Sequence, residues 1–286
     1  MMIYFCADDY GMSKESNSRI EECMKNGVLN KISVLPNGEL TDFKQHLSCD
    51  NVKISLHINL VEGCSLSDPK DVNLIASDEG VFKYSFIGLF LLSLSSKRKE
   101  LEKQLYREIQ NQIVFWKNQI GEVTSLSIDS HQHTHMIPLI YKTLMRVIED
   151  EGLNVDFIRI PAEPFSPYVF TPSLYKTYSV SGLAKQWILK TLALFNKLVH
   201  GKPKIKTAYF MGAMFSGKLT EERIKKLLPR YLKLAKKRDM DIEIALHPGY
   251  VMVDEQLIDG SRTSFDKFYY SPWRKKEYDT LINFKF

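Results

Sequence analysis

The sequence predicts an α/β fold in which helices cover a parallel sheet. Three observations carry this. Short apolar runs alternate with helical periods along most of the chain, and that alternation belongs to parallel sheets. Polar residues with chemical uses fall at the C-terminal ends of the apolar runs, the edge where parallel α/β architectures gather functional groups. The 286 residues, 44% hydrophobic and 26% charged, suffice for one large domain with a sizeable core.

Taken in order, Ile3–Ala7 reads as a buried strand that runs into Asp8–Asp9. Ser13 then caps a helix carrying Ile20, Cys23 and Met24 on one face, and Gly27 stops it. Ile32–Leu35 is a second strand, ended by the turn residues Pro36–Asn37–Gly38, and Val52–His57 is a third. A polar, turn-rich stretch runs from Glu62 to Gly80. The apolar run Phe86–Leu94 follows and is too short to span a bilayer. Leu101, Leu105, Ile109 and Ile113 repeat at i+4 in a long charged helix ending near Gly121. Leu126–Asp129 is a strand, Pro138–Glu151 a helix stopped by Gly152, and Val155–Ile160 a strand. Leu183–Val199 is an amphipathic helix studded with lysines. Thr220 caps a helix reaching about Lys237, and Ile242–His247 is the last clear strand. The tail after Tyr250 is polar and aromatic with no period. Residues 1–286 read as a single catalytic domain with an inserted segment near 62–98.

Composition narrows the partners. Net charge is +5, and the basic clusters Lys97–Arg98–Lys99 and Arg274–Lys275–Lys276 are short, so no nucleic-acid partner is expected. Cys6, Cys23, Cys49 and Cys64 form no C-x-x-C pair. Free thiols in a reducing cytoplasm are the simplest account, and the N-terminus lacks the basic start of a signal peptide. For Phe86–Leu94 and Leu183–Val199, core packing is the default. If instead they face solvent, they form a homodimer contact or touch a membrane, and a lipid-linked sugar becomes a reasonable substrate.

The polar residues that break the apolar pattern point to chemistry. Asp8–Asp9, His57, Asp129 with His131, Arg159 and His247 each end an apolar run. Adjacent carboxylates repel one another and invite a cation. His131, His133 and His135 alternate along the chain, and imidazole is the commonest metal ligand. A strand would point all three one way, whereas a helix would pair His131 with His135. Arg159, inside an apolar strand, needs an anionic partner, and Asp8 can serve. One Asp with two His makes a three-ligand site with positions left open, the arrangement of a catalytic metal.

The motifs Ala7–Asp8–Asp9–Tyr10–Gly11, Leu56–His57–Ile58–Asn59–Leu60, Asp129–Ser130–His131–Gln132–His133–Thr134–His135, Arg159–Ile160–Pro161 and His247–Pro248–Gly249 resemble those of the YdjC/ChbG-like carbohydrate deacetylases, in the family's order. Cys6 and Tyr10 stand where the family usually has Asn and Phe. The resemblance implies an incomplete or distorted (β/α) barrel of TIM type and one divalent ion, Mg2+ or Zn2+. It also implies hydrolysis of the acetamide of a chitooligosaccharide-like sugar or a glycan intermediate. Carried over by position, Asp9, His57 and His131 match the metal ligands and Asp8 the base. In the mechanism expected on this basis, Arg159 keeps Asp8 ionised, His247 protonates the leaving amine, and Asp129 supports a ligating histidine. His133 and His135 stay open as substrate-side groups or as replacements for His131. The same ligands would also serve another metal hydrolase, a phosphoesterase or amidohydrolase, or a silent sugar-binding protein.

Overall fold

The computed structural model describes residues 1–41, 43, 52–120, 125–201, 205–261 and 266–286. The described residues hold seven strands, β1 (Ile3–Tyr10), β2 (Lys31–Val34), β3 (Lys53–Ile58), β4 (Leu126–Ser130), β5 (Val155–Ile158), β6 (Ala208–Met211) and β7 (Asp241–Leu246). Their order in the sheet is β5-β4-β3-β2-β1-β7-β6, and every pairing is parallel. That order is cyclic in sequence, so the sheet curls into a barrel. The barrel is incomplete: among the described residues its edges β5 and β6 meet only through a bridge of Phe157 to Lys206, just before β6, where the Ile158 N–H donates to the Lys206 carbonyl.

Helices α1 (Lys14–Asn26), α2 (Phe86–Ser93), α3 (Arg98–Ile120), α4 (Pro138–Asp150), α5 (Phe165–Val169), α6 (Val180–His200), α7 (Glu221–Arg238), α8 (Asp266–Tyr269) and α9 (Pro272–Asn283) surround it. Local chemistry sets their ends. Ser13 Oγ accepts from the Ser16 N–H at 3.1 Å, and the Gly27 N–H closes α1 on the Cys23 carbonyl. Thr220 sits at the N-cap of α7 but makes no side-chain cap bond, so that cap is positional only. On α3 the expected i+4 row, Leu101, Leu105, Ile109 and Ile113, is buried against the barrel. Gly121, the expected stop, lies outside the described residues, as does Cys49. The Glu62–Gly80 stretch is tied by antiparallel bridges of Cys64 to Val81 and Ala76 to Phe82.

The default of core packing holds for only one face of α2 and α6. Leu89 and Leu189 are buried, while Leu91, Trp187 and Leu198 stand exposed. The sequence period marks two faces on such helices without saying which points inward. No helix among the described residues is long and apolar enough to cross a membrane.

Candidate active site and metal centre

Because all strands run parallel, their C-terminal ends converge on one edge. Asp8 and Asp9 lie at the end of β1, His57 near the end of β3, and Asp129 near the end of β4. Arg159 follows β5 and His247 follows β7 directly. In an extended strand Asp8 and Asp9 would face opposite sides. Here Asp9 adopts a left-handed conformation (φ 70°) where the β1–β2 register shifts, so both carboxylates line one cavity of about 550 Å³. An aspartate tolerates this conformation at a cost of about 1 kcal/mol. Gly11 continues the turn with a φ of 104° that favours glycine, and its backbone packs so closely on Gly38 that a Cβ at Gly38 would overlap the Gly11 carbonyl oxygen.

Asp9, His57 and His131 bring three ligand atoms within 4.8 Å of one another. Asp9 Oδ1 lies 2.9 Å from His131 Nδ1 and 3.7 Å from His57 Nε2. The second distance is too long for a hydrogen bond and leaves His57 Nε2 free for a ligand. His57 Nδ1 is engaged behind, 2.5 Å from Asp129 Oδ1. Two imidazole nitrogens and a carboxylate, all buried, fit a divalent ion with open positions. Burial raises the Asp9 carboxyl, but His131, His57 and Arg274 outweigh it and hold the group well below the usual carboxylate range. Burial lowers His57, yet Asp129 and the other carboxylates push it up to about 9.

A second group, Asp8, His57 and Asp129, is also close enough for an ion, but a guanidinium already fills that role. Arg159, fully buried, places Nη1 2.8 Å from Asp8 Oδ2 and Nη2 2.9 Å from Asp8 Oδ1. Its Nη2 also lies 3.1 Å from Asp129 Oδ2 and 3.0 Å from Glu243 Oε1. Burial raises Asp8, and Arg159 with His57 more than offsets this, so its carboxyl is held below its ordinary value. Cys6 takes part: Arg159 Nη2 donates to its Sγ at 3.2 Å.

The three alternating histidines follow neither a strand nor a regular helix. Residues 131–136 form a tight 3-10 turn broken by left-handed Gln132 and His133 (φ 51° and 59°). His131 alone of the three meets Asp9. His133 lines the cavity with Nδ1 unpartnered among the described residues, and burial pulls it well below the ordinary histidine value. His135 is fully engaged, Nδ1 at 2.5 Å from Ser130 Oγ and Nε2 at 2.8 Å from the Arg159 carbonyl, which leaves it no nitrogen for a metal. Asp129 stands behind His57, one of the histidines expected to ligate. His247 lines the same cavity, its Nδ1 without a hydrogen bond among the described residues and 3.4 Å from Glu277 Oε2.

Several residues at the site escaped the sequence reading. Arg274, taken there as part of a short basic cluster, is completely buried, paired with Asp9 Oδ2, and donates to the Gly249 carbonyl at 2.9 Å. Tyr269 places its hydroxyl 3.2 Å from His131 Nε2. Glu277 Oε2 accepts from the His247 N–H at 2.6 Å. All three come from the tail whose sequence shows no period. Lys31 and Glu243 form a buried pair at 2.7 Å beneath Arg159. Here a signal existed: Lys31 and Ser33, Ser55 and His57, and Ser127 and Asp129 repeat polar residues at period two in otherwise apolar strands, which marks one face.

Fold and site together define an incomplete α/β barrel protein with an Asp/His centre competent to hold a metal. The YdjC-like protein family matches residues 2–286. The chain belongs to that family, whose members are known as carbohydrate deacetylase-like, which makes this a carbohydrate-processing protein. Its structure is similar to a crystal structure from Enterococcus faecalis V583 described as a candidate cellobiose-phosphate cleavage protein. That likeness has a TM-score of 0.67 at 17% identity and covers 98% of this chain and 90% of that one. At such identity it speaks for the fold.

Proposed function

We propose that this chain is a deacetylase that hydrolyses the acetamide of an N-acetylated sugar, with Asp9, His57 and His131 holding one divalent ion, Mg2+ or Zn2+. The observation that carries the reading is the convergence of these three ligands with an Arg159-paired Asp8 and His247 on one cavity. When bound, the ion supplies a Lewis acid that lowers the pKa of a water and polarises a carbonyl. The chain supplies the rest. Asp8, kept ionised and oriented by the bidentate Arg159, takes the proton of the attacking water. His247, held by Glu277 through its backbone N–H, gives a proton to the departing amine. Asp129 fixes His57 so that Nε2 faces the ligand side. The free thiols of Cys6, Cys23 and Cys64 accord with a cytoplasmic setting.

A two-metal phosphoesterase is disfavoured, because the second candidate cluster shares His57 and already contains the Arg159 charge. The test is acetate release from N-acetylated sugars by metal-stripped enzyme refilled with magnesium, zinc, cobalt or manganese. The expected result is release that needs the ion, with one ion bound per chain. Release at the same rate from stripped and refilled enzyme refutes the metal assignment. No release from either soluble or lipid-carried acetamido sugars refutes the deacetylase.

A further inference from the structure

Helices α2 and α6 flank the cavity of the Asp9, His57 and His131 cluster: Phe86 and Ile87 line it from α2, Lys185, Ile188 and Leu189 from α6. Both helices show water an apolar face. α6 buries Gln186 and Asn196 and exposes Trp187, Leu194, Phe195 and Leu198. α2 exposes Ile87 and Leu91, and Leu94 follows one turn on, a stripe at i, i+4 and i+7. Ile87 and Ile188 belong both to the cavity wall and to the exposed set, so the cavity opens on this face. An apolar patch of this kind on a protein surface marks an interaction site.

Charge identifies the occupant. The described residues of 164–220, which include all of α6, contain no Asp or Glu and six lysines. Residues 86–99 are also free of acids and end in Lys97–Arg98–Lys99. A second copy of the chain would set two such basic surfaces against each other. An anionic lipid surface complements them, and an acid-free apolar stripe rimmed by lysines is how a helix lies in such an interface. The absence of any membrane-crossing helix among the described residues leaves contact from one side. Lys185, whose Nζ donates to Ser216 Oγ at 3.1 Å, stands on the cavity wall where it can meet an anionic link between sugar and lipid.

We infer that the α2/α6 face docks on an anionic lipid membrane, and that the acetamido sugar processed in the cavity is carried on a lipid through a phosphate. The docking half rests on the exposed face alone, and the substrate half rests on the deacetylase reading. The test is flotation of the metal-loaded protein with phosphatidylcholine vesicles, with and without phosphatidylglycerol, at low and high salt. Trp187 fluorescence provides a second readout. The expected result is binding only to the anionic vesicles, a blue shift of Trp187, and about tenfold or more weaker binding at high salt. The double variant Leu91→Glu/Leu198→Glu, neither residue lining the cavity, is expected to lose vesicle binding while keeping its melting temperature and its rate on a soluble acetamido sugar. Absence of binding to anionic vesicles at low salt overturns docking, as does a stable dimer whose Trp187 is shielded and ignores lipid. For the substrate, an N-acetylglucosaminyl lipid phosphate in vesicles is expected to release acetate at least about tenfold faster than the free sugar, and equal rates overturn that half. Vesicle binding without acetate release from any sugar upholds docking and removes the deacetylase reading instead.

Discussion

Replacing Asp8 by Asn separates the two carboxylates of the Asp8–Asp9 pair. Asp8 receives two bonds from Arg159, at 2.8 and 2.9 Å. An amide keeps one acceptor and turns a donor toward the other nitrogen, so one charge-assisted bond is lost, about 1.5–3 kcal/mol. The arginine keeps Asp129 and Glu243 as partners. With Lys31, the variant leaves two buried cations facing two buried anions, which limits the damage. In a chain of this length that loss lowers the melting temperature by about 3–6 °C. Turnover is expected to fall about 10²-fold or more, since among the described residues the only other carboxylate lining the cavity is Asp9, which the proposal assigns to the metal. Metal content, measured on the purified variant by elemental analysis, is expected to stay at the wild-type level, because the proposed ligand set contains Asp9 and not Asp8. Loss of the ion from Asp8→Asn, or turnover within a few-fold of wild type, refutes this division of labour.

Asp129→Asn weakens the acceptor behind His57 Nδ1 and is expected to reduce metal affinity by about 10–100-fold, read by competition with a chelator; unchanged affinity means the contact does not orient the ligand. His247→Ala is expected to keep the metal and lose about 10²–10⁴-fold in turnover, and near-normal activity removes it from the mechanism. His135 is held by burial at about 4, below its ordinary 6.5. The unfolded chain therefore takes up a proton that the folded chain refuses. Stability is full above pH 6.5 and falls by about 3 kcal/mol as pH drops to about 4. Denaturant titrations across that range are expected to show a shallower pH slope for His135→Gln than for wild type, and equal slopes assign the acid sensitivity elsewhere.

The legible part of the site and the hidden part differ for physical reasons. Asp8, Asp9, His57, Asp129 and Arg159 could be picked out because each interrupts or ends an apolar run, and parallel strands carry such ends to one edge. Arg274 could not. Beside Lys275 and Lys276 it looks like surface charge, and its burial is decided by Asp9, 265 residues away. The direction of the three histidines was hidden too, because left-handed backbone at Gln132 and His133 breaks any side-chain period. The barrel came from the resemblance. Strand–helix alternation alone predicts a parallel sheet and is silent on its curling, which shows in the cyclic strand order and the Phe157–Lys206 bridge.

The inside of this barrel explains how so many charges sit together. In the β3–β4 register His57 is paired with Asp129, and Ser55 with Ser127. Parallel partners share a face, so the carboxylate stands beside the imidazole by strand geometry, without a loop to place it. Below them Ser33 donates to Asp129 Oδ2 at 2.7 Å, and Arg159 links Asp129 to Glu243, which pairs with Lys31. An aliphatic filling of the same volume would be as stable or more so, since buried ion pairs rarely repay their desolvation. Such a filling could not set a protonation state. The polar column can: alternating charges hold Asp8 and Asp9 ionised and His57 with its Nε2 turned to the ligand side, each side chain locked by a neighbour that is itself locked. Stability given up in the barrel interior is what fixes the geometry at its rim.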